Sequence, residues 1–237
     1  MKKYIKILAV VALILSFLSC SKDDNSQPEV VSLLKKINDT SDGLISTYTY
    51  DTSKKLINYK LNGNQSNGPR DQNFTYNADG TLNEIRNLSD NSLELKYFYD
   101  SSKKIVKREG RNGIDIYTYE YANNKVTEKY IFTVNNEGFT NIYSYDAKGN
   151  MNEIKIYDNV TATNPNGDYY GAITYTYDNK KSYRTSLPKE FIFPYSNKNN
   201  YATEKYPNQN LYTYDFQFNE KGYPISSQNG ARTYEYQ

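Results

Sequence analysis

The sequence predicts an all-β protein: a long antiparallel β-meander of about 14 to 16 strands over residues 30–237, strongly coiled or closed into a barrel-like sheet. Three observations carry this. From Val30 onward, aromatic and aliphatic residues alternate with Thr, Lys, Asn and Glu at period two. A hairpin unit recurs along the chain, clearest at Tyr143-Ser144-Tyr145-Asp146-Ala147-Lys148-Gly149-Asn150-Met151-Asn152-Glu153-Ile154. Finally, 27 Tyr and 9 Phe supply apolar area in a chain without Trp whose mean hydropathy is -0.86. A disordered chain of that polarity is poor in aromatics; this one is 15% aromatic.

Residues 1–19 open with Lys2, Lys3 and Lys6 and continue as an apolar run from Ile7 to Leu18, broken only by Ser16. The run is short for a bilayer span and has the form of a secretory signal peptide. It ends at Ser19-Cys20, and Cys20 is the only cysteine. This resembles a bacterial lipoprotein signal, with a small residue before the Cys, which implies lipidation of Cys20; several acyl chains would give stable attachment to a membrane. Ser21, Lys22, Asp23 and Asp24 follow in a polar tether reaching Glu29; the cluster resembles the export signal of Bacteroidota surface lipoproteins, which implies export to the outer face of the outer membrane, and a plain solvated linker is the alternative. The predicted division is 1–19 signal peptide, 20–29 lipidated tether, 30–237 meander, with no membrane-spanning segment in the mature chain.

In the meander, Val30 to Ile37 and Leu44 to Tyr50 form an opening hairpin around Asn38–Gly43. The second Tyr of each repeat falls at Tyr50, Tyr76, Tyr99, Tyr121, Tyr145 and Tyr177, and Tyr234-Glu235-Tyr236 closes the chain. Tight turns are expected at 51–54, 77–80, 100–103, 146–149 and 219–222. Each has Asp or Asn first, to accept from the backbone two residues on, and Gly or Lys fourth, in the left-handed conformation. A three-residue loop of this kind makes its flanking residues pair. Asp146 should then face Asn150, and Tyr145, Tyr50, Tyr76 and Tyr99 should face Met151, Leu56, Leu82 and Ile105 on the more buried face. Longer connections (62–72, 87–92, 109–113, 135–138, 158–168) should gather at the opposite end. The stretch from Leu187 to Asn210, with Pro188, Pro194, Pro207 and a polar 196–200, reads as a long surface loop.

Tyr143 to Asn150, together with Tyr48-Thr49-Tyr50-Asp51, Tyr175-Thr176-Tyr177-Asp178 and Tyr212-Thr213-Tyr214-Asp215, resembles the YD repeats of RHS and teneurin proteins. Almost the whole mature chain also resembles uncharacterised Bacteroidota surface lipoproteins with YD-like hairpins and a porin-like meander. Both resemblances imply a β-meander; the second implies an outer-membrane lipoprotein exposed at the cell surface, and neither brings catalytic residues.

The chain has no His, which removes Ser-His-Asp and Cys-His catalysis and His-ligated metals. Removing residues 1–19 takes three of the 29 basic residues and leaves them nearly balanced by 27 acidic ones, so no nucleic-acid footprint remains. Carboxylates are the remaining catalytic resource. Asp51, Asp100, Asp146 and Asp178 read as turn caps, and Glu84, Glu94, Glu128 and Glu153 as members of a solvated sheet face. Asn77-Ala78-Asp79-Gly80 lacks the further ligands of a calcium loop. No catalytic residue, metal or cofactor is therefore expected. The sequence points to a non-enzymatic surface protein, a glycan- or protein-binding or structural module whose partner is the membrane; a carboxylate glycosidase, needing two acidic groups about 5 to 10 Å apart, is the alternative.

Overall fold

Hairpin succeeds hairpin in strict chain order. The computed structural model describes residues 32–63 and 70–237; Cys20 and the segment 21–24 lie outside them. The strands are β1 (Leu34–Asp39), β2 (Leu44–Tyr50), β3 (Leu56–Asn62), β4 (Arg70–Tyr76), β5 (Leu82–Asn87), β6 (Leu93–Tyr99), β7 (Ile105–Gly110), β8 (Asp115–Ala122) and β9 (Lys125–Phe132). The meander continues through β10 (Glu137–Tyr145), β11 (Met151–Val160), β12 (Asp168–Lys181), β13 (Asn199–Lys205), β14 (Leu211–Thr213), β15 (Phe216–Phe218), β16 (Pro224–Ser227) and β17 (Arg232–Tyr236). They form one antiparallel sheet of 17 strands, and β17 returns to pair with β1. The sheet is nevertheless not closed. β14 pairs with β13 and β15 with β16, and no ladder spans the break at Tyr214-Asp215. β14 and β15 are thus two halves of one extended path, which accounts for a strand count one above the expected range. Tyr212-Thr213-Tyr214-Asp215 is accordingly not a turn unit; the turn at 219–222 follows Phe216-Gln217-Phe218 instead, and Asp215 Oδ2 accepts from the Asn229 amide at 2.8 Å.

The turn chemistry sets the register. Asp146 N donates to Asn150 O at 2.8 Å and Gly149 N to Asp146 O at 3.0 Å, a type I turn closed by a left-handed residue. Lys54 and Lys103 occupy that position with φ of 64° and 61°. Asp51, Asp100, Asp146 and Asn219 each accept the backbone N–H two and four residues on. At 77–80 the cap moves to Asp79, which takes the Thr81 amide and hydroxyl. The expected partners all pair: Tyr50 with Leu56, Tyr76 with Leu82, Tyr99 with Ile105, Tyr145 with Met151. Tyr50 and Tyr76 are more buried than their exposed neighbours Thr49 and Thr75, whereas Phe98 and Ser144 are as half-buried as Tyr99 and Tyr145. Lys96 and Lys107 lie over the Phe98 ring and cover it.

A bulge follows the first residue of the return strands β3, β5, β7, β11 and β16, so the ladder to the next hairpin starts late. The β5–β6 ladder, for example, begins at Glu84 and Lys96 and misses Leu82. The carbonyl left free is taken by a tyrosine hydroxyl of the next hairpin. Tyr50 donates to Leu34 O (2.9 Å), Tyr76 to Leu56 O (2.7 Å), Tyr99 to Leu82 O (2.6 Å) and Tyr121 to Ile105 O (2.8 Å). Tyr177 serves Met151 O in the same way, and Tyr236 serves Pro224 O. In these six hairpins the ring two residues earlier (Tyr48, Phe74, Tyr97, Tyr119, Tyr175, Tyr234) fills the core and the second stitches neighbouring hairpins, which satisfies a backbone group that the bulge would orphan.

The segment read as a surface loop is corrected by the structure. Asn199–Lys205 is strand β13, and residues 182–198 pack on the inner face of the sheet. They include a 3₁₀ turn at Tyr183–Ser186, a one-turn helix α1 (Lys189–Ile192) and a cis Phe193-Pro194 bond. The segment is an insertion into the sixth YD turn. Asp178 accepts from Lys180 N at 2.9 Å as the other caps do, but its next donor is Asn200 N at 3.2 Å. Phe191 packs on Tyr59 and Phe74, Phe193 on Tyr119 and Tyr121. Within the polar run Asn197 and Asn200 are buried, and the run is tied to the sheet through its backbone: Asn197 Oδ1 accepts from Met151 N at 2.9 Å, and Asn150 Oδ1 from Lys198 N and Asn199 N at 3.0 Å. The side-chain amides stand in for strand partners.

Candidate functional site

The bulges also decide which side chains face inward. Because the second residue of the return strand is the extra one, the third residue after the first aliphatic lies opposite the buried first ring. Tyr59 faces Tyr48, Ile85 faces Phe74 and Ile154 faces Tyr143. In β7 that position is Arg108, opposite Tyr97. The β8–β9 turn uses Asn123 and Asn124, both left-handed, and adds no bulge; Val126, Glu128 and Tyr130 therefore share the inner face. Glu128 is 4% exposed, not part of a solvated face as read from the sequence. Its period-two relation to Val126 and Tyr130 was the available signal; the charge obscured it.

Arg108 and Glu128 form an ion pair at 3.1 Å. Glu128 also accepts from Tyr119 OH (2.7 Å), Tyr143 OH (2.9 Å) and Asn141 Nδ2 (3.3 Å), so its oxygens are well satisfied. The guanidinium of Arg108 lies over the rings of Tyr117 and Tyr119 and donates to Phe193 O of the insertion at 3.4 Å. Burial, reinforced by the carboxylate of Glu128, drives the phenols of Tyr119 and Tyr143 far above their ordinary range and keeps both as donors. Burial pushes Tyr97 up to about 12, with Arg108 acting the other way.

A second cation comes from the insertion itself. Arg184 Nε donates to Tyr183 OH at 3.3 Å, and Nη1 to Tyr195 O at 3.2 Å and Tyr201 OH at 3.4 Å. Tyr145, whose own neighbour β9 has no bulge and no free carbonyl, turns its hydroxyl to Pro194 O at 2.8 Å. Between sheet and insertion lies a cleft of about 580 Å³ lined by Tyr48, Arg108, Glu128, Tyr143, Arg184 and Tyr195, among others. Glu128 is the one carboxylate among its described lining residues.

The remaining acidic residues named from the sequence stay apart from this cleft. Asp51, Asp100, Asp146 and Asp178 are turn caps. Glu84 pairs with Arg86 and Lys96, Glu153 with Lys155, and Glu94 accepts from Gln72. Among the described residues, no group of three or more acidic or cysteine side chains could hold a metal ion, and no helix is long and apolar enough to cross a membrane.

In comparisons with known proteins, no family's sequence pattern and no curated protein matches the chain. Solved structures do match. A porin-like protein from Bacteroides uniformis is 14% identical with a TM-score of 0.53, over 87% of this chain and 97% of that one. At this identity the shared property is the fold, the β-meander. TcdB2-TccC3 without its hypervariable C-terminal region (17% identity, TM-score 0.36) and the Tc holotoxin pore of Photorhabdus luminescens (17%, 0.34) overlap with 76% and 81% of this chain. In both cases the overlap covers no more than 10% of the larger partner chain.

Proposed function

We propose that this is a non-enzymatic, lipid-anchored protein of the outer membrane, exposed at the cell surface, whose meander is a binding module for a glycan or another polar ligand. One observation carries the binding role. The inner face holds the buried pair Arg108 and Glu128 where a cleft opens beside the insertion. A buried ion pair is a costly way to stabilise a core, and apolar side chains at both positions would pack the layer at lower cost. The anchor is supported by the apolar run ending at Cys20 and by the polar tether after it. The porin-like neighbour suits an outer-membrane setting, but rings and residues 182–198 fill this sheet's interior, which favours binding over conduction. The outer face carries Thr, Lys, Asn and Glu without a continuous apolar band, and a strand-built membrane span needs such a band. Glycoside hydrolysis would need a second carboxylate beside Glu128.

Radiolabelled palmitate incorporation, lost in Cys20→Ala, together with protease accessibility on intact cells, tests the anchor. A glycan array probed with the mature chain tests binding. An unlabelled wild-type chain, or one protected from protease, would overturn the surface reading; an array without any signal would leave only a structural role.

A further inference from the structure

The charges in the cleft do not balance. Arg108 is matched by Glu128, but Arg184 has no carboxylate partner among the described residues. Its three hydrogen bonds go to two phenols and a carbonyl through Nε and Nη1, and Nη2 has no hydrogen-bond partner among the described residues. A guanidinium drawn toward an apolar interior without a counter-charge is expensive, and a charge-assisted bond to an anion offsets that cost. The surroundings register the uncompensated charge. Burial by itself would raise the Tyr183 phenol, yet Arg184 and Arg232 outweigh it and hold it below the ordinary range. The cleft that Arg184 lines is ring-rich, and Tyr195, 36% exposed, meets Tyr143 edge-on at 5.7 Å. The volume of about 580 Å³ falls in the range of small-molecule sites.

Building on the binding reading above, we infer that the cleft takes a ligand bearing one carboxylate on a six-membered ring, with the carboxylate on Arg184 and the ring face against Tyr195. One negative charge neutralises the site, whereas a dianion would leave an excess facing Glu128. The same chemistry occurs in the uronate unit of an acidic glycan and in an aromatic acid, and the test separates the two.

The full lipoprotein in detergent is titrated by calorimetry with glucuronate, benzoate, the methyl ester of each, and glucose. The expected result is binding of at least one acid, with its ester weaker by about tenfold or more, as loss of a charge-assisted bond requires. Arg184→Gln should lower acid affinity by the same factor and leave the ester unchanged. Preference for glucuronate identifies the glycan source, preference for benzoate the aromatic one. Equal affinity for acid and ester, or no binding of either acid, overturns the inference. The ester comparison uses the unaltered chain and stands even where Arg184→Gln does not fold. Neutral glycans bound on the array without any acid preference would overturn this inference while the binding-module reading survived.

Discussion

Replacing the stitching tyrosines by phenylalanine removes one hydroxyl each and leaves the ring in place. In Tyr76→Phe, Tyr99→Phe and Tyr121→Phe, the carbonyls of Leu56, Leu82 and Ile105 lose donors at 2.7, 2.6 and 2.8 Å. No ladder bond replaces them, because the next ladder starts beyond the bulge. Each loss should cost about 1 kcal/mol, because Leu56, Leu82 and Ile105 are buried and their carbonyls are left without a donor. Tyr76, Tyr99 and Tyr121 lie two strands apart, about 10 Å at ordinary strand spacing, so the costs should add. The triple variant should lose about 3 kcal/mol, and at this chain length its melting temperature should fall by roughly 6 to 12 °C. The assay is thermal and urea unfolding followed by circular dichroism. Tyr170→Phe is the control: that ring is 65% exposed, and its change should stay within about 0.5 kcal/mol. A triple variant as stable as the control would refute the stitching role.

Further outcomes follow from the same geometry. Glu128→Ala leaves Arg108 buried without its partner and should destabilise by about 3 to 5 kcal/mol, seen as an earlier urea midpoint. Lys54→Gly relieves a left-handed residue and should raise stability by up to about 1 kcal/mol, since Lys54 makes no ion pair among the described residues. At high pH, burial holds the phenols of Tyr76, Tyr97 and Tyr121 up at about 12, so the folded state keeps protons that the unfolded chain releases near 10. Their contribution is complete below pH 10 and is lost as pH rises from there toward 12. Phenolate absorbance should therefore rise together with loss of the circular dichroism signal; smooth titration near pH 10 in a folded chain would contradict it.

The sequence by itself determined the class, the hairpin register and the turn types, because each of these is local. An Asp or Asn cap and a left-handed fourth residue close the turn within five residues, and period-two alternation then assigns faces, as the pairing of Tyr145 with Met151 shows. The break at Tyr214-Asp215, the inward insertion at 182–198 and the cleft were decided by tertiary structure. Proline and asparagine in 187–210 read as loop because propensity carries no information about distant partners, and those partners, Met151 N for Asn197 and Asn150 Oδ1 for Asn199, lie 46 and 49 residues away. Arg108 faces inward because a bulge shifts the alternation by one residue, and Glu128 because its turn has none. That phase, set by where each bulge falls in the assembled ladders, brings two opposite charges from different hairpins together on the inner face, beside Arg184 of the insertion, which has no carboxylate partner among the described residues.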